Sequence, residues 1–473
     1  GPHIGSTSHF AALKTTNQSS VAWKPSEPAY FTAPAGHEDR EYKLQRVHAV
    51  AFPTQKEMKQ YEARLEMAKQ RTHQHIGQEQ KLFFLDARSP GAPFWLPHGL
   101  RIFKRLEALV RGVHSNYGFE EVKSPLVYKQ HLWNTSGHWE HYSEDMTVLQ
   151  HKEDEEVCQA LKPMNCPAHC IMFSHEPHSY RELPLRFAEH SALHRNEASG
   201  ALSGLTRVRQ FHQDDGHIFC RPDQVSSEVA RCLEAIGVVY ARLGLTPTAV
   251  LSTRPETGYV GSLEIWCALR SSFIIDIRVR DAMGRTHQTA TIQLDFNMPM
   301  RFELSYKDED GAPQTPVLIH RAVLGSFERM MALLTEQYWG RWPLHLSPRQ
   351  LLILPVSEKH ASYAWDVYHE LQPFGHVDVD DSPVSLSKRI AQQRVLRHNY
   401  VAVVGDEEVA NDTLSIRHRD GAYVASPDAE ADLARLLRHD MEQLPEGPAT
   451  VTTVMQVLRK ARSMEWPAPS SAR

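Results

Sequence analysis

The sequence predicts an α+β chain, with an antiparallel sheet flanked by helices followed by a smaller α/β domain. Three observations carry this. Residues 183–220 read as two strands running in opposite directions around the turn "ASGALSG". "PVLIH" reads as a buried strand feeding a helix, "GSFERMMALLTEQYWG", that starts near Ser326. Beyond the proline-marked junction "WPLHLSPRQ", the runs "QLLILPV", "VDVDD" and "YVAVVGDEE" alternate with helical stretches, as an α/β unit does.

The elements follow in order. Residues 1–42 are rich in Ser, Thr, Pro and Ala without clear periodicity, and read as a tag, a linker or the remnant of an upstream region. Residues 55–74 are charged and helical. After the turn-rich "SPGAPFWLPHG", residues 100–119 place Leu106, Leu109, Val110 and Val113 at helical spacing. That helix leads into a strand, "EEVKSPLVY", ending near Pro125. Strand-like segments recur over residues 274–306. The expected domains are a larger one over 43–343, the smaller one over 344–445, and a tail over 446–473.

Composition bounds the function. The chain has 473 residues, 41% of them hydrophobic and 23% charged, which is ordinary for a soluble globular protein. Its net charge of -5 neither selects nor excludes nucleic acid, because phosphate is read by local patches. The six cysteines are scattered, which points to a reducing compartment and a cytoplasmic location. No apolar run approaches the ~18 residues of a membrane span, so no membrane partner is expected.

The segment "RVRQFHQDDGHIFC" spends polar residues on what otherwise reads as an aromatic strand. Alternation puts Arg207, Arg209, Phe211, Gln213, Asp215 and His217 on one face. Arg195 and Glu197 lie on the preceding strand, and Arg329 lies in the first turn of the later helix. Guanidinium forks match phosphate oxygens, so arginines converging on a concave sheet would hold a polyphosphate. Phe211 could stack a nucleobase, and Glu197 could accept from an exocyclic amine. The competing reading is ordinary cross-strand ion pairing. No Walker-type glycine loop is present, which excludes a P-loop.

Metal-ligand candidates are scattered. "KPMNCPAHC" offers Cys166, His169 and Cys170; His217 and His320 lie far along the chain. The local set lacks a standard structural-zinc spacing. Spacing alone does not unite Cys166, His217 and His320.

Together, "SGHWEHYSEDM", "LKPMNCPAHC", the long run ending "RVRQFHQDDGHIFC", "TATIQLDF" and "IHRAVLGSFERM" resemble the threonyl-tRNA synthetases, a class II aminoacyl-tRNA synthetase family. The resemblance runs from about residue 44 to about residue 440. It implies the class II antiparallel sheet as catalytic domain, with an anticodon-binding domain after it. It implies a homodimer formed through motif 1, the helix and strand ending at Pro125. It also implies a zinc ion on Cys166, His217 and His320, with Met164, Gln213, Asp215 and Gln293 around the substrate threonine. Arg195, Glu197, Arg207, Phe211, Gln288, Thr291 and Arg329 resemble the ATP contacts, Phe211 stacking adenine with Arg329 on its other side. Magnesium would accompany ATP. Arg195 and Arg329 would assist adenylate formation, and His138 would assist transfer to tRNA(Thr). Arg389, Glu408 and Arg417 match anticodon-reading positions.

Departures accompany the match. "MNCPAH" and "QDDGH" each carry a small swap, and the run "EIWCALRSSFIIDIRV" is shorter than the family's, ending without its "YGPKID". The family's usual editing domain is not expected in this chain, so misacylation with serine is. Two other readings stand beside the ligase. One is a non-catalytic RNA-binding relative, favoured by the short run. The other is a zinc hydrolase on the Cys/His/His set, which the phosphate-matched arginines oppose.

Overall fold

The computed structural model describes residues 6–23, 42–150, 158–252, 274–281, 284–419 and 447–463. Two compact units are present, Gly1–Arg71 and Thr72–Arg473.

The first unit pairs β1 (Ala12–Trp23) antiparallel with β2 (Tyr42–Phe52), followed by helix α1 (Gln55–Gln70). This corrects the reading of residues 1–42 as without periodicity. Thr15, Thr16 and Val21 suit an extended backbone, and the partner strand that completes the ladder lies beyond residue 42. β2 therefore belongs with β1, and the second unit opens at Thr72 rather than at residue 43.

In the second unit, Pro97 occupies the first turn of α2 (Pro97–Asn116), where its missing N–H costs nothing. Ile102, Leu106, Leu109, Val110 and Val113 form its buried stripe. The strand expected over "EEVKSPLVY" is split into β3 (Glu120–Glu121) and a separate short strand over Val127–Lys129, which pairs with Cys158–Leu161. Next come α3 (Cys166–Ser174), β4 (Leu185–His194), β5 (Gln210–Cys220) and α4 (Val225–Arg242). The sheet is completed by β6 (Thr248–Ser252), β7 (Ile274–Arg280), β8 (Thr286–Asp295) and β9 (Val317–Ala322), before α5 (Phe327–Gln337). Ser326 caps α5 through its side chain, which accepts from Arg329 N.

The seven strands run β6-β7-β8-β9-β5-β4-β3, antiparallel except for β4 with β3. Its two faces divide the labour. Ile218, Ile319 and Ile292 point into one large apolar core shared with α2, α4 and α5. The opposite face carries Asp215, His217 and His320, and α3 covers part of it through Phe173 against Phe219.

The smaller domain holds β10 (Leu351–Pro355), α6 (Ala361–Leu371), β11 (Val377–Val379), α7 (Leu386–Leu396), β12 (Tyr400–Val404), α8 (Asp406–Asn411) and β13 (Thr413–His418). Residues expected to be a tail instead complete it. β14 (Gly447–Thr450) pairs with β13, and α9 (Val451–Ser463) buries Val454 and Leu458 in that domain's core. The sheet order is β11-β10-β12-β13-β14. Among the described residues, no helix is long and apolar enough to cross a membrane.

A buried ion pair ties β4 to the chain before α3. Lys162 Nζ lies 2.8 Å from Glu189 Oε1, and Ser124 donates to the same carboxylate from N and Oγ. Burial would raise the Glu189 pKa, but hydrogen bonds from His169, Lys162 and Ser124 hold it down at about 2. Its stabilising effect is therefore full above the ordinary carboxylate value of 4.5 and is lost as pH falls towards 2. Glu189→Gln leaves Lys162 buried and unpaired. Urea unfolding at neutral pH should show a loss of about 3–5 kcal/mol, and the variant's stability should fall less steeply below pH 4.5 than the parent's.

Candidate functional site

The register of three neighbouring strands sets the site. His217 on β5 stands opposite His320 on β9, which stands opposite Gln293 on β8. In the next same-face row, Asp215 opposes Ala322, which opposes Thr291. Rows of like orientation are roughly 7 Å apart along a strand. A polar strip thus runs along the face of the sheet opposite the large apolar core.

At one end of the strip is a cavity of about 350 Å³. β5 contributes Phe211 and Gln213, with Arg207 just before it. Arg195 and Glu197 enter from the end of β4, Gln288 and Thr291 from β8, and Arg329 from the first turn of α5. Every residue matched to ATP by resemblance lines this one cavity. Gly325 forms part of the wall at φ +71°, and a Cβ there would lie 2.6 Å from Thr289 O. Arg209, placed on the same face by strict alternation, does not line it. β5 becomes regular only at Gln210, and the Arg209 guanidinium donates to Glu197 O and Ser199 Oγ.

The cavity carries surplus positive charge. Burial lowers the Arg329 pKa, and the nearby Arg195 and Arg207 lower it further against Glu197. Burial likewise lowers Arg195, opposed by Glu197 and Asp215. Glu197 pairs with Arg207 at 2.8 Å. Arg329 is oriented by donating to Thr206 O and Gln288 O, at 3.1 and 3.2 Å. The Arg195 guanidinium lies over the Phe211 ring, 5.0 Å from its centroid. Such a pocket suits an anion with a planar group attached.

At the other end lie Cys166, His217 and His320. Their ligand atoms all fall within 4.8 Å of one another, and His217 Nε2 is 3.0 Å from His320 Nδ1. Among the described residues this is the grouping found, not the local set with His169 and Cys170. One thiol and two imidazoles are the soft and borderline donors that zinc takes. Burial raises the Cys166 thiol pKa well above its usual value, with Asp215 adding to the effect. Burial also lowers the His217 pKa well below its usual value. Neutral imidazole is the ligating form, and a thiol so placed gives up its proton on binding a cation.

Between the two ends, Asp215 accepts from Asn165 Nδ2 at 3.1 Å, and burial raises its pKa. Gln293 donates to Thr291 Oγ1 at 3.3 Å, and Met164 packs against the cluster that includes Cys166. His138 lies close enough to His320 to feel its charge. Burial first, then His320, lowers the His138 pKa to about 4. Its Nδ1 is 2.7 Å from Ser136 Oγ, which leaves Nε2 for other work.

Sequence reasoning missed Asp276, Asn165 and Asp295. Asp276 accepts from Gln288 and Thr291, and Asp295 accepts from His320 at 3.0 Å. A lone carboxylate in the apolar run "FIIDIRV" was the available signal for Asp276. Part of the shortened segment, residues 264–273, lies outside the described residues.

The three residues matched to anticodon reading stand in different environments in the smaller domain. Arg389 is 4% exposed, and its guanidinium donates to the carbonyls of Val384, Asp380 and Pro355, so it holds loops rather than facing outward. Glu408 caps α8 by accepting from Gly405 N at 2.8 Å. Arg417 is exposed on β13.

Comparisons with known proteins agree with this geometry. Residues 147–338 match the model of the tRNA synthetase class II core domain (G, H, P, S and T), and residues 350–426 match the anticodon binding domain. The chain is 44% identical over 447 residues to cytoplasmic threonine–tRNA ligase 2 of Mus musculus, covering 89% of this chain and 54% of that protein. It is 42% identical to the mitochondrial threonine–tRNA ligase of Homo sapiens, covering 94% of this chain and 66% of that one. The chain thus spans between half and two thirds of these relatives. Among solved structures, the RNA binding domain of threonyl-tRNA synthetase from Cryptosporidium parvum Iowa II superposes with a TM-score of 0.74 at 38% identity, covering 85% of this chain and 100% of that one. With a class II core, an anticodon-binding domain and this depth of identity, the chain belongs to the threonyl-tRNA synthetase family.

Proposed function

We propose that this chain is a threonine–tRNA ligase, which joins threonine to ATP as threonyl-adenylate and then passes it to tRNA(Thr). One observation carries the reading. The cavity lined by the expected ATP residues continues along the same three strands into the Cys166, His217 and His320 cluster.

The residues have distinct tasks. The threonine carboxylate attacks the α-phosphate of ATP, and pyrophosphate leaves. Arg195, half-buried just after β4, draws α-phosphate and carboxylate together. Arg207 and Arg329 hold the β- and γ-phosphates, and the Phe211 ring supports the adenine. ATP enters as its magnesium complex. No side chain forms a covalent bond in this scheme, because positioning and charge stabilisation carry phosphoryl-type chemistry.

Cys166, His217 and His320 would hold zinc, which when bound offers an open position to the amino and hydroxyl groups of threonine. Asp215 accepts from the same hydroxyl, with Gln213 and Gln293 beside it. Valine has the shape of threonine but leaves these polar groups unpaired, a mismatch that sites of this kind reject by about 10⁴–10⁵. Serine keeps both polar groups and lacks one methyl, which is worth only ~10–200-fold. At the second step, His138 is neutral at pH 7 and takes the proton of the terminal ribose hydroxyl at Nε2.

The α2 and β3 region matched to motif 1 is the proposed homodimer contact. A reducing cytoplasm suits the free Cys166 thiol.

Amino-acid-dependent ATP–pyrophosphate exchange tests the reading. Exchange should proceed with threonine, more weakly with serine and not with valine, and should stop when zinc is chelated. Absence of exchange in zinc-loaded protein would move the non-catalytic RNA-binding reading to first place. The 473-residue chain should also accumulate seryl-tRNA(Thr); rapid clearance of that product would count against the serine part. His138→Ala should slow transfer to tRNA by about 10²–10⁴-fold in a single-turnover assay, and affect pyrophosphate exchange far less.

A further inference from the structure

Behind the Cys/His/His cluster a line of buried polar groups ends on His217, and its other members have no part in the proposed chemistry. Lys162, Glu189, His169 and His217 follow one another, and none is more than 1% exposed. Lys162 Nζ is 2.8 Å from Glu189 Oε1. Glu189 Oε2 is 3.1 Å from His169 Nε2. His169 Nδ1 is 2.8 Å from His217 Nδ1, with the two rings edge to face at 89°.

With His169 neutral and a cation, rather than a proton, between His217 Nε2 and His320 Nδ1, proton accounting along this line has one solution. A carboxylate paired with lysine only accepts, so His169 Nε2 carries the hydrogen. In neutral His169, Nδ1 then has a bare lone pair. Two nitrogens 2.8 Å apart need one donor and one acceptor, so His217 Nδ1 carries a hydrogen and donates it. His217 Nε2 is left with its lone pair, and this is the atom 3.0 Å from His320 Nδ1. The same logic holds on the other side. Asp295 Oδ2 accepts from His320 Nε2, leaving His320 Nδ1 bare. Two separate hydrogen-bond chains thus aim lone pairs at one point beside Cys166.

We infer that His169 and Glu189 are positioning residues that fix the tautomer and ring orientation of His217 so that its Nε2 is presented for metal ligation. This rests on the zinc reading above and extends it to residues that the ligand set does not contain. Outer partners of ligating histidines commonly tune metal affinity in this way.

The test uses the whole chain and three variants. His169→Phe keeps a ring in place and removes both nitrogens. His169→Gln restores an acceptor for His217 and a donor for Glu189. Cys166→Ala removes a proposed ligand. Zinc affinity is measured by competition with a chromophoric chelator, and the visible bands of the cobalt-substituted protein report ligand geometry. His169→Phe should bind zinc about 10–100-fold more weakly with altered cobalt bands. His169→Gln should recover most of the affinity and the parental spectrum, and Cys166→Ala should lose tight binding. If His169→Phe matches the parent while Cys166→Ala does not, the positioning role is wrong and the zinc site stands. If His169→Gln is as weak as His169→Phe, packing rather than hydrogen bonding is at work, and the inference is overturned. If Cys166→Ala also binds like the parent, the zinc reading falls and the inference with it.

Discussion

Everything at the site depends on the register between β5, β9 and β8. A shift of one residue in a strand exchanges its two faces. Here that would bury His217 and His320 among α2, α4 and α5, and put Ile218 and Ile319 in the polar strip. The large apolar core is therefore what specifies the polar site. Each strand is locked by its isoleucines, and the histidines are carried along on the opposite face.

The polar face then has to be made tolerable. Burying charge is costly unless it is paired and hydrogen-bonded. Around the metal-type cluster every group is tied: Glu189 to Lys162, Asp295 to His320 and to the backbone of Asn297 and Met298, and Asp215 to Asn165. The cavity differs. Three arginines face one another with Glu197 as the nearby opposing charge, and burial first, then their mutual repulsion, lowers the Arg329 pKa. Order at one end and an electrostatic surplus at the other suit a site that fixes a cation and admits a polyanion.

Local elements were readable in the sequence. The stripe of α2 and the Ser326 cap of α5 follow from spacing and side-chain chemistry alone. The arginines, Glu197 and Phe211 that line the cavity were singled out from alternation and side-chain chemistry, whereas Cys166, His217 and His320 were united only through resemblance, because a sequence does not print which strands become neighbours. His217 and His320 are 103 residues apart and meet through a ladder. In the smaller domain a residue's surroundings were hidden for the same reason. Arg389 looks like a surface charge by type, and only the folded chain shows three carbonyls closing around it. "GPAT" has little strand propensity, and becomes β14 because β13 offers it an open edge.

That last pairing bears on how the chain matures during synthesis. The central strands of the smaller domain, β10 to β13, are all synthesised by residue 418, but the strand that covers β13 and the helix that plugs the core come from residues 447–463. Until those emerge, β13 presents an unpaired edge above an unsealed apolar core, the kind of surface that recruits chaperones or other nascent chains. The larger domain has all its described strands by residue 322 and faces no such wait. Completion of the smaller domain thus waits on residues 447–463.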